Sequence, residues 1–273
     1  MNIKEQILLH STPVKEVKEL DSNTFKNNYF NKQTLLIKGM AKNWEATQNW
    51  TLDFLLKQDG DNTIELLSGN FIQGDNSYRR DSFKGFLQKL SYAEINQEPF
   101  DDYLTTLNIF NFYPHLKKAV DFSLFENHTD INDITAWIGP AGTISGFHRD
   151  TGKNMYAQIK GKKMFIICSP KYDKHIYPSK KYINGGMASE VDINNFNKER
   201  HPLFESIHFE SVILEPGDVL HVPSKWWHYV ESLDTSISIS NFGYSKAEMF
   251  GIKAIDYLHR RGFYKAKNCF CCN

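Results

Sequence analysis

The 273-residue chain is 41% hydrophobic and 14% aromatic, which supplies a sizeable core and excludes global disorder. Its 32 basic and 32 acidic residues cancel, so no overall charge argues for a nucleic-acid or membrane partner. No apolar run approaches the roughly 18 residues of a spanning helix, and residues 1–5 lack a leader core, so a cytoplasmic or nucleocytoplasmic protein is expected.

Residues 1–33 are polar, with a short helix expected within 16–30. Residues 34–39 (TLLIKG) form a buried strand ended by glycine. A helix is expected over 43–58, with Thr51 as its cap and Leu52, Phe54, Leu55 and Leu56 on its apolar side. Residues 63–67 read as a strand. Ser82 caps a helix over 82–92, where Phe83, Phe86, Leu87 and Leu90 recur at helical spacing. A strand over 103–107 and a connecting region to 130 follow.

The second half changes character. Short strands are expected over 134–138, 143–148, 154–160 and 163–168, separated by Gly139-Pro140 and Gly161-Lys162 turns. An irregular insert spans 170–206. Strands resume over 211–214, 218–222, 228–232 and 236–242. Regularly spaced short strands imply an antiparallel sandwich or barrel rather than a βαβ sheet. Ser245 and Glu248 make a capping box that opens a helix to about residue 261. Cys168 sits in an apolar run and reads as a buried small hydrophobe, while Cys269, Cys271 and Cys272 crowd an exposed tail with no zinc set around them.

His148 and Asp150 lie one residue apart, and on an extended segment both point to one face. Two imidazoles and a carboxylate on one face of an octahedron form the ligand set of non-haem Fe(II) oxygenases. His148, Asp150 and His228 are the candidate set. A lone His-x-Asp is more often a surface pair. Here it shares the strand-rich half with Trp226-Trp227-His228, which follows the tight turn at Pro216-Gly217-Asp218 and opens a new strand.

Four blocks in order, 137–143, 148–150, 157–161 and 215–228, make the chain resemble the JmjC/cupin-like Fe(II)- and 2-oxoglutarate-dependent oxygenases. The branch it resembles is that of the asparaginyl hydroxylase of hypoxia-inducible factor. The likeness runs from about 103 to 244, and faintly back to 82. It implies a mainly β, double-stranded β-helix (jelly-roll) fold as a single domain over 1–273. The core would span about 103–244, with an N-terminal α/β extension over 1–102 and a C-terminal helix and Cys-rich tail over 245–273.

The resemblance also implies roles. His148, Asp150 and His228 fall on the iron ligands. Lys163 falls on the lysine that pairs with the distal carboxylate of 2-oxoglutarate, Ser145 on a hydroxyl contact to that carboxylate, and Tyr103 on a third contact. Asn154 and Asn241 fall on amides at the metal-proximal end, and the place of Asn241 after Ile237 and Ile239 suggests an inward amide. Departures stand at Ala188 and Gly243, where the asparaginyl hydroxylases carry a substrate-clamping Gln and a Trp. The expectation is therefore a hydroxylase using Fe(II), 2-oxoglutarate and O2 on a different prime substrate, a protein side chain before a nucleotide or small molecule. A homodimer through the C-terminal helix is expected by the same resemblance.

Two rival classes are weighed beside it. A non-catalytic cupin-like scaffold is opposed by the intact His148, Asp150, His228 and Lys163. A metal cupin that uses no 2-oxoglutarate is opposed by Lys163 and Ser145.

Overall fold

The computed structural model describes residues 1–68, 77–181 and 183–264. Cys269, Cys271 and Cys272 lie outside them. The helices are α1 (Ile3–His10), α2 (Ser22–Asn28), α3 (Glu45–Asn49), α4 (Leu52–Leu56), α5 (Phe83–Asn96), α6 (Ser123–Glu126) and α7 (Lys246–Arg260). The first strands are β1 (Thr12–Pro13), β2 (Glu16–Val17), β3 (Leu35–Ile37), β4 (Thr63–Ser68), β5 (Ser77–Ser82), β6 (Asp102–Leu107) and β7 (Ile131–Gly139). The series continues with β8 (Ile144–Asp150), β9 (Lys153–Lys160), β10 (Lys163–Cys168) and β11 (Gly186–Ala188). It ends with β12 (Glu210–Leu214), β13 (Val219–Val222), β14 (Trp227–Ser232) and β15 (Ser236–Tyr244).

Two sheets result. One has the order β1-β12-β10-β14-β8-β11, the other β2-β3-β13-β9-β15-β7-β6-β4-β5. Nearly all pairings are antiparallel; β1 with β12 and β2 with β3 are parallel. The two sheets form the mainly β jelly roll expected from the sequence, with α7 appended.

Period-two alternation divides the apolar residues among three layers. Tyr103, Trp137, Tyr156, Phe165, Leu220 and Val230, drawn from both sheets, pack between them. Phe147, Met164, Ile166, Cys168, Trp227 and Tyr229 pack behind the six-stranded sheet against α1 and the 170–206 insert. Ile134, Ala136, Met155, Ala157, Ile237 and Ile239 pack behind the nine-stranded sheet against the N-terminal helices. Both sheets are thus covered on their outer faces, so most strands are buried on both sides.

Several expected elements differ. The helix expected over 43–58 is two helices, α3 and α4. Trp50 is extended and buried between them, and the Thr51 hydroxyl accepts from the Phe54 amide (3.0 Å), capping the second one only. The helix expected within 16–30 begins after β2, with Asp21 as its cap. Helix α1 was not expected. It buries only Ile7, and an Asn2–Glu5 capping box starts it. Strand β5 is polar (SYRRDS) and occupies the sheet edge, where charge is favoured and alternation of apolar residues is lost. Helix α5 follows its Ser82 cap as expected. No helix of the described residues is long and apolar enough to cross a membrane.

Gly161 lies in the turn that carries the chain from β9 in one sheet to β10 in the other, with φ +69°, and a Cβ there would sit 2.3 Å from the Thr235 carbonyl oxygen. Gly161→Ala is expected to cost roughly 2–3 kcal/mol in chemical denaturation. Gly142→Ala, at φ +82° with open space around it, should cost only about 1 kcal/mol. Equal losses at both sites would contradict this account.

Candidate metal centre

The site is built where β8 pairs with β14. His148 stands directly opposite His228, but the register then slips, and Val230 pairs with Ser145. Two residues of β8, Gly146 and Phe147, oppose one of β14. This bulge re-aims the strand so that Ser145 and His148, three apart, both face the inter-sheet space. Phe147 packs into the opposite layer.

The bulge also orients the ring. His148 Nδ1 lies 2.7 Å from the Gly146 carbonyl oxygen, and His228 Nδ1 lies 3.1 Å from that of Trp226. A carbonyl only accepts, so each Nδ1 carries the proton and each Nε2 keeps its lone pair. His228 Nε2 is 3.6 Å from Asp150 Oδ2, and the ligand atoms of His148, Asp150 and His228 all lie within 4.8 Å of one another. The two imidazole centroids are 4.1 Å apart.

Burial pushes His228 well below the usual imidazole range, with His148 as a second cause. Burial raises the Asp150 carboxyl, and nearby His148 partly opposes that. Two imidazoles that each turn an Nε2 towards a half-buried carboxylate make a donor set for a divalent metal. The residues therefore fit a facial two-histidine, one-carboxylate metal site.

The supports lie beside the ligands in the chain. Asp173 accepts from both Arg149 (2.7 and 2.6 Å) and the Trp227 indole N–H (2.7 Å). The Arg149 guanidinium also stacks 5.0 Å above the Trp227 ring. Arg149 sits between two ligands and Trp227 precedes the third, so Asp173 ties the two ligand-bearing strands together. Lys225, at φ 65°, donates its amide to the Asp150 carbonyl (2.8 Å), closing the same junction from the turn before β14.

A cavity of about 130 Å³ opens from the three ligands between the sheets. Ser145, Asn154 and Tyr103 line it. At one end Lys163, fully buried, donates to the hydroxyls of Tyr103 (3.0 Å) and Tyr156 (2.8 Å). No carboxylate of the described residues forms an ion pair with it, and burial pushes its ammonium down to about 7. An unpaired buried cation fits an anionic ligand. Asn154 Oδ1, Trp137 Nε1 and Ser240 Oγ belong to cavity-lining residues and are buried without hydrogen-bond partners.

Asn241 corrects the sequence reading. It does not line the cavity; its amide donates to Glu126 Oε1 (3.2 Å) on the other side of the sheet. It follows Ile237 and Ile239, and these face the helical layer, so the same alternation carries Asn241 outward. Ser240 and Phe242 take the inward places on β15. Gly243 likewise faces outward. A Cβ there would collide with Thr129 and Phe125, so the missing Trp side chain leaves no gap in the cavity wall. Ala188 pairs with His148 and is buried beside it, where a methyl group offers no hydrogen bond. Tyr156 was missed. The signal was present, because it lies two residues beyond Asn154 on the same face of β9.

A model of the cupin-like domain matches residues 22–248. The chain is 30% identical over 222 residues to Lysine-specific demethylase 8 of Xenopus tropicalis, covering 79% of this chain and 49% of that protein. It is 30% identical over 220 residues to Jumonji C domain-containing protein 5 of Drosophila melanogaster, covering 76% of this chain and 54% of that protein. HSPB1-associated protein 1 of Bos taurus is also 30% identical, over 242 residues, with 77% of this chain and 48% of that protein covered. The chain thus spans about half the length of the curated relatives it matches.

Asp173 touches no ligand atom of the triad, yet Asp173→Ala is expected to raise the Kd for Mn(II) about tenfold, as loss of an outer support does. Calorimetric titration reads it, and an unchanged affinity would show that the strands hold the ligands unaided.

Proposed function

The chain belongs to the cupin-like (JmjC) family, whose enzymes use Fe(II) and 2-oxoglutarate, and on that premise we propose that it is a 2-oxoglutarate-dependent oxygenase hydroxylating a C–H bond, first of all in a protein side chain. The observation that carries the reading is the convergence of His148, Asp150 and His228 with both Nδ1 atoms tied to carbonyls. In this reading the whole chain is one domain with its core over about 103–244.

His148, Asp150 and His228 would hold the metal. Lys163, Tyr103 and Ser145 would hold the distal carboxylate of the cosubstrate, and Asn154 would contact its metal-proximal end. Asn241 is not assigned a contact. Bound Fe(II) and 2-oxoglutarate supply the oxidising chemistry, in which R–H, O2 and 2-oxoglutarate become R–OH, succinate and carbon dioxide. The protein positions the reacting C–H and excludes water. Trp137, Phe165, Val230 and Phe242 form the apolar wall that does the excluding.

The name of the Xenopus relative favours a second outcome of the same chemistry. Hydroxylation of an N-methyl carbon leads to loss of formaldehyde, so formaldehyde release separates demethylation from stable hydroxylation. A homodimer through α7 rests on its resemblance-based expectation and on the exposed Phe250, Tyr257 and Leu258; the solution mass tests it.

Purified protein with Fe(II) and ascorbate is expected to form succinate slowly from 2-oxoglutarate without a prime substrate, and His148→Ala and Lys163→Ala should fall to background. Wild-type turnover that survives His148→Ala would overturn the metal assignment. Absence of both turnover and 2-oxoglutarate binding would favour a scaffold.

A pH dependence follows from Lys163, held near 7 by burial. Its charged form is present below that value and is lost as pH rises through it. Affinity for 2-oxoglutarate should therefore fall by up to about tenfold per unit above pH 7. Anaerobic titration with Mn(II) in place of iron measures it, and a flat profile would contradict the role of Lys163.

A further inference from the structure

We propose that Tyr156 is a specificity-determining residue whose phenolic hydroxyl, charged up by Lys163, reads the distal carboxylate of the cosubstrate. This rests on the oxygenase reading above.

Tyr156 lies on the inward face of β9 and lines the cavity. Its ring packs edge-on against Phe165, with centroids 5.0 Å apart at 72°, which fixes where the hydroxyl points. Lys163 Nζ sits 2.8 Å from that hydroxyl and 3.0 Å from that of Tyr103. An ammonium has donors only, so both phenol oxygens accept from it. Each phenol keeps its own proton to give away. Lys163 itself is not among the cavity-lining residues; the two tyrosines are. An anion entering this end therefore meets two hydroxyls polarised by a buried cation.

The Tyr156 proton has two destinations. Ser238 is a hydrogen-bond partner of the Tyr156 hydroxyl, and Ser238 gives its own proton to Gln158 Oε1 (2.9 Å). With its own proton given to Gln158, Ser238 has only oxygen lone pairs left to offer Tyr156. A carboxylate in the cavity is a charged acceptor, and such bonds are about twice as strong as neutral ones. The proton is expected to turn to the carboxylate when one is present. A 2-oxo acid without a distal carboxylate gains nothing from this hydroxyl.

The test is anaerobic calorimetric titration of the full chain with Mn(II), comparing 2-oxoglutarate with pyruvate, which lacks the distal carboxylate. Tyr156→Phe removes one oxygen and keeps the ring. It should weaken 2-oxoglutarate binding about tenfold or more, with Mn(II) and pyruvate affinities unchanged. Ser238→Ala, which removes the competing acceptor, should tighten 2-oxoglutarate severalfold and serves if Tyr156→Phe does not fold. A merely structural role for Tyr156 would lower thermal stability without changing the ratio of the two affinities. If wild type binds 2-oxoglutarate and both variants match it, the assignment of Tyr156 is wrong while the oxygenase reading stands. If wild type binds no 2-oxoglutarate, both fall.

Discussion

The bulged pairing of β8 with β14 is the constraint on which the rest depends. Without it, alternation would turn Ser145 away from His148, and the two would lie on opposite faces of one strand. With it, His148 meets His228 across the ladder and its Nδ1 finds the Gly146 carbonyl. The surrounding architecture bounds this junction on both sides. Behind it lie Phe147, Trp227 and Tyr229 in an apolar layer, pinned through Asp173. In front lies a cavity kept narrow by aromatic rings.

The space between the sheets is unusual for a protein interior because it is polar where it matters. Lys163, Tyr156, Gln158, Ser238 and Ser240 are all buried there. Burying an ammonium without a carboxylate is unfavourable, and the depressed Lys163 ammonium registers that. The fold bears this because its stability comes from elsewhere, chiefly the two outer apolar layers against α1, the insert and the N-terminal helices. Stability and function are thus assigned to different faces of the same strands. The buried Lys163 leaves that interior suited to an anion.

That division also decides what was legible in the sequence. The His-x-Asp pair, the Trp226-Trp227-His228 segment and most strand spans over 134–242 were readable because turns and alternation are local signals; β11, inside the insert expected to be irregular, was not. The caps at Ser82, Thr51 and Ser245 were readable for the same reason. The bulge was not, since nothing in Ser145-Gly146-Phe147 fixes its register without the partner strand. The face of β15 was read inside out. Its alternation of Ser236, Ser238 and Ser240 with Ile237 and Ile239 suggests isoleucines inward, yet the interior here is the polar side and the isoleucines meet the helical layer. Asn241 and Gly243 followed the isoleucines outward. Tyr156 escaped because its importance lies in a contact with Lys163 that only the two-sheet geometry creates.

The most direct measurement is an anaerobic absorption titration of the protein with Fe(II) and 2-oxoglutarate. A metal held by His148, Asp150 and His228 with the cosubstrate chelated beside it predicts a visible charge-transfer band that saturates at one equivalent of each and disappears in His228→Ala. A band that survives His228→Ala, or no band despite demonstrated binding of both components, would contradict the account.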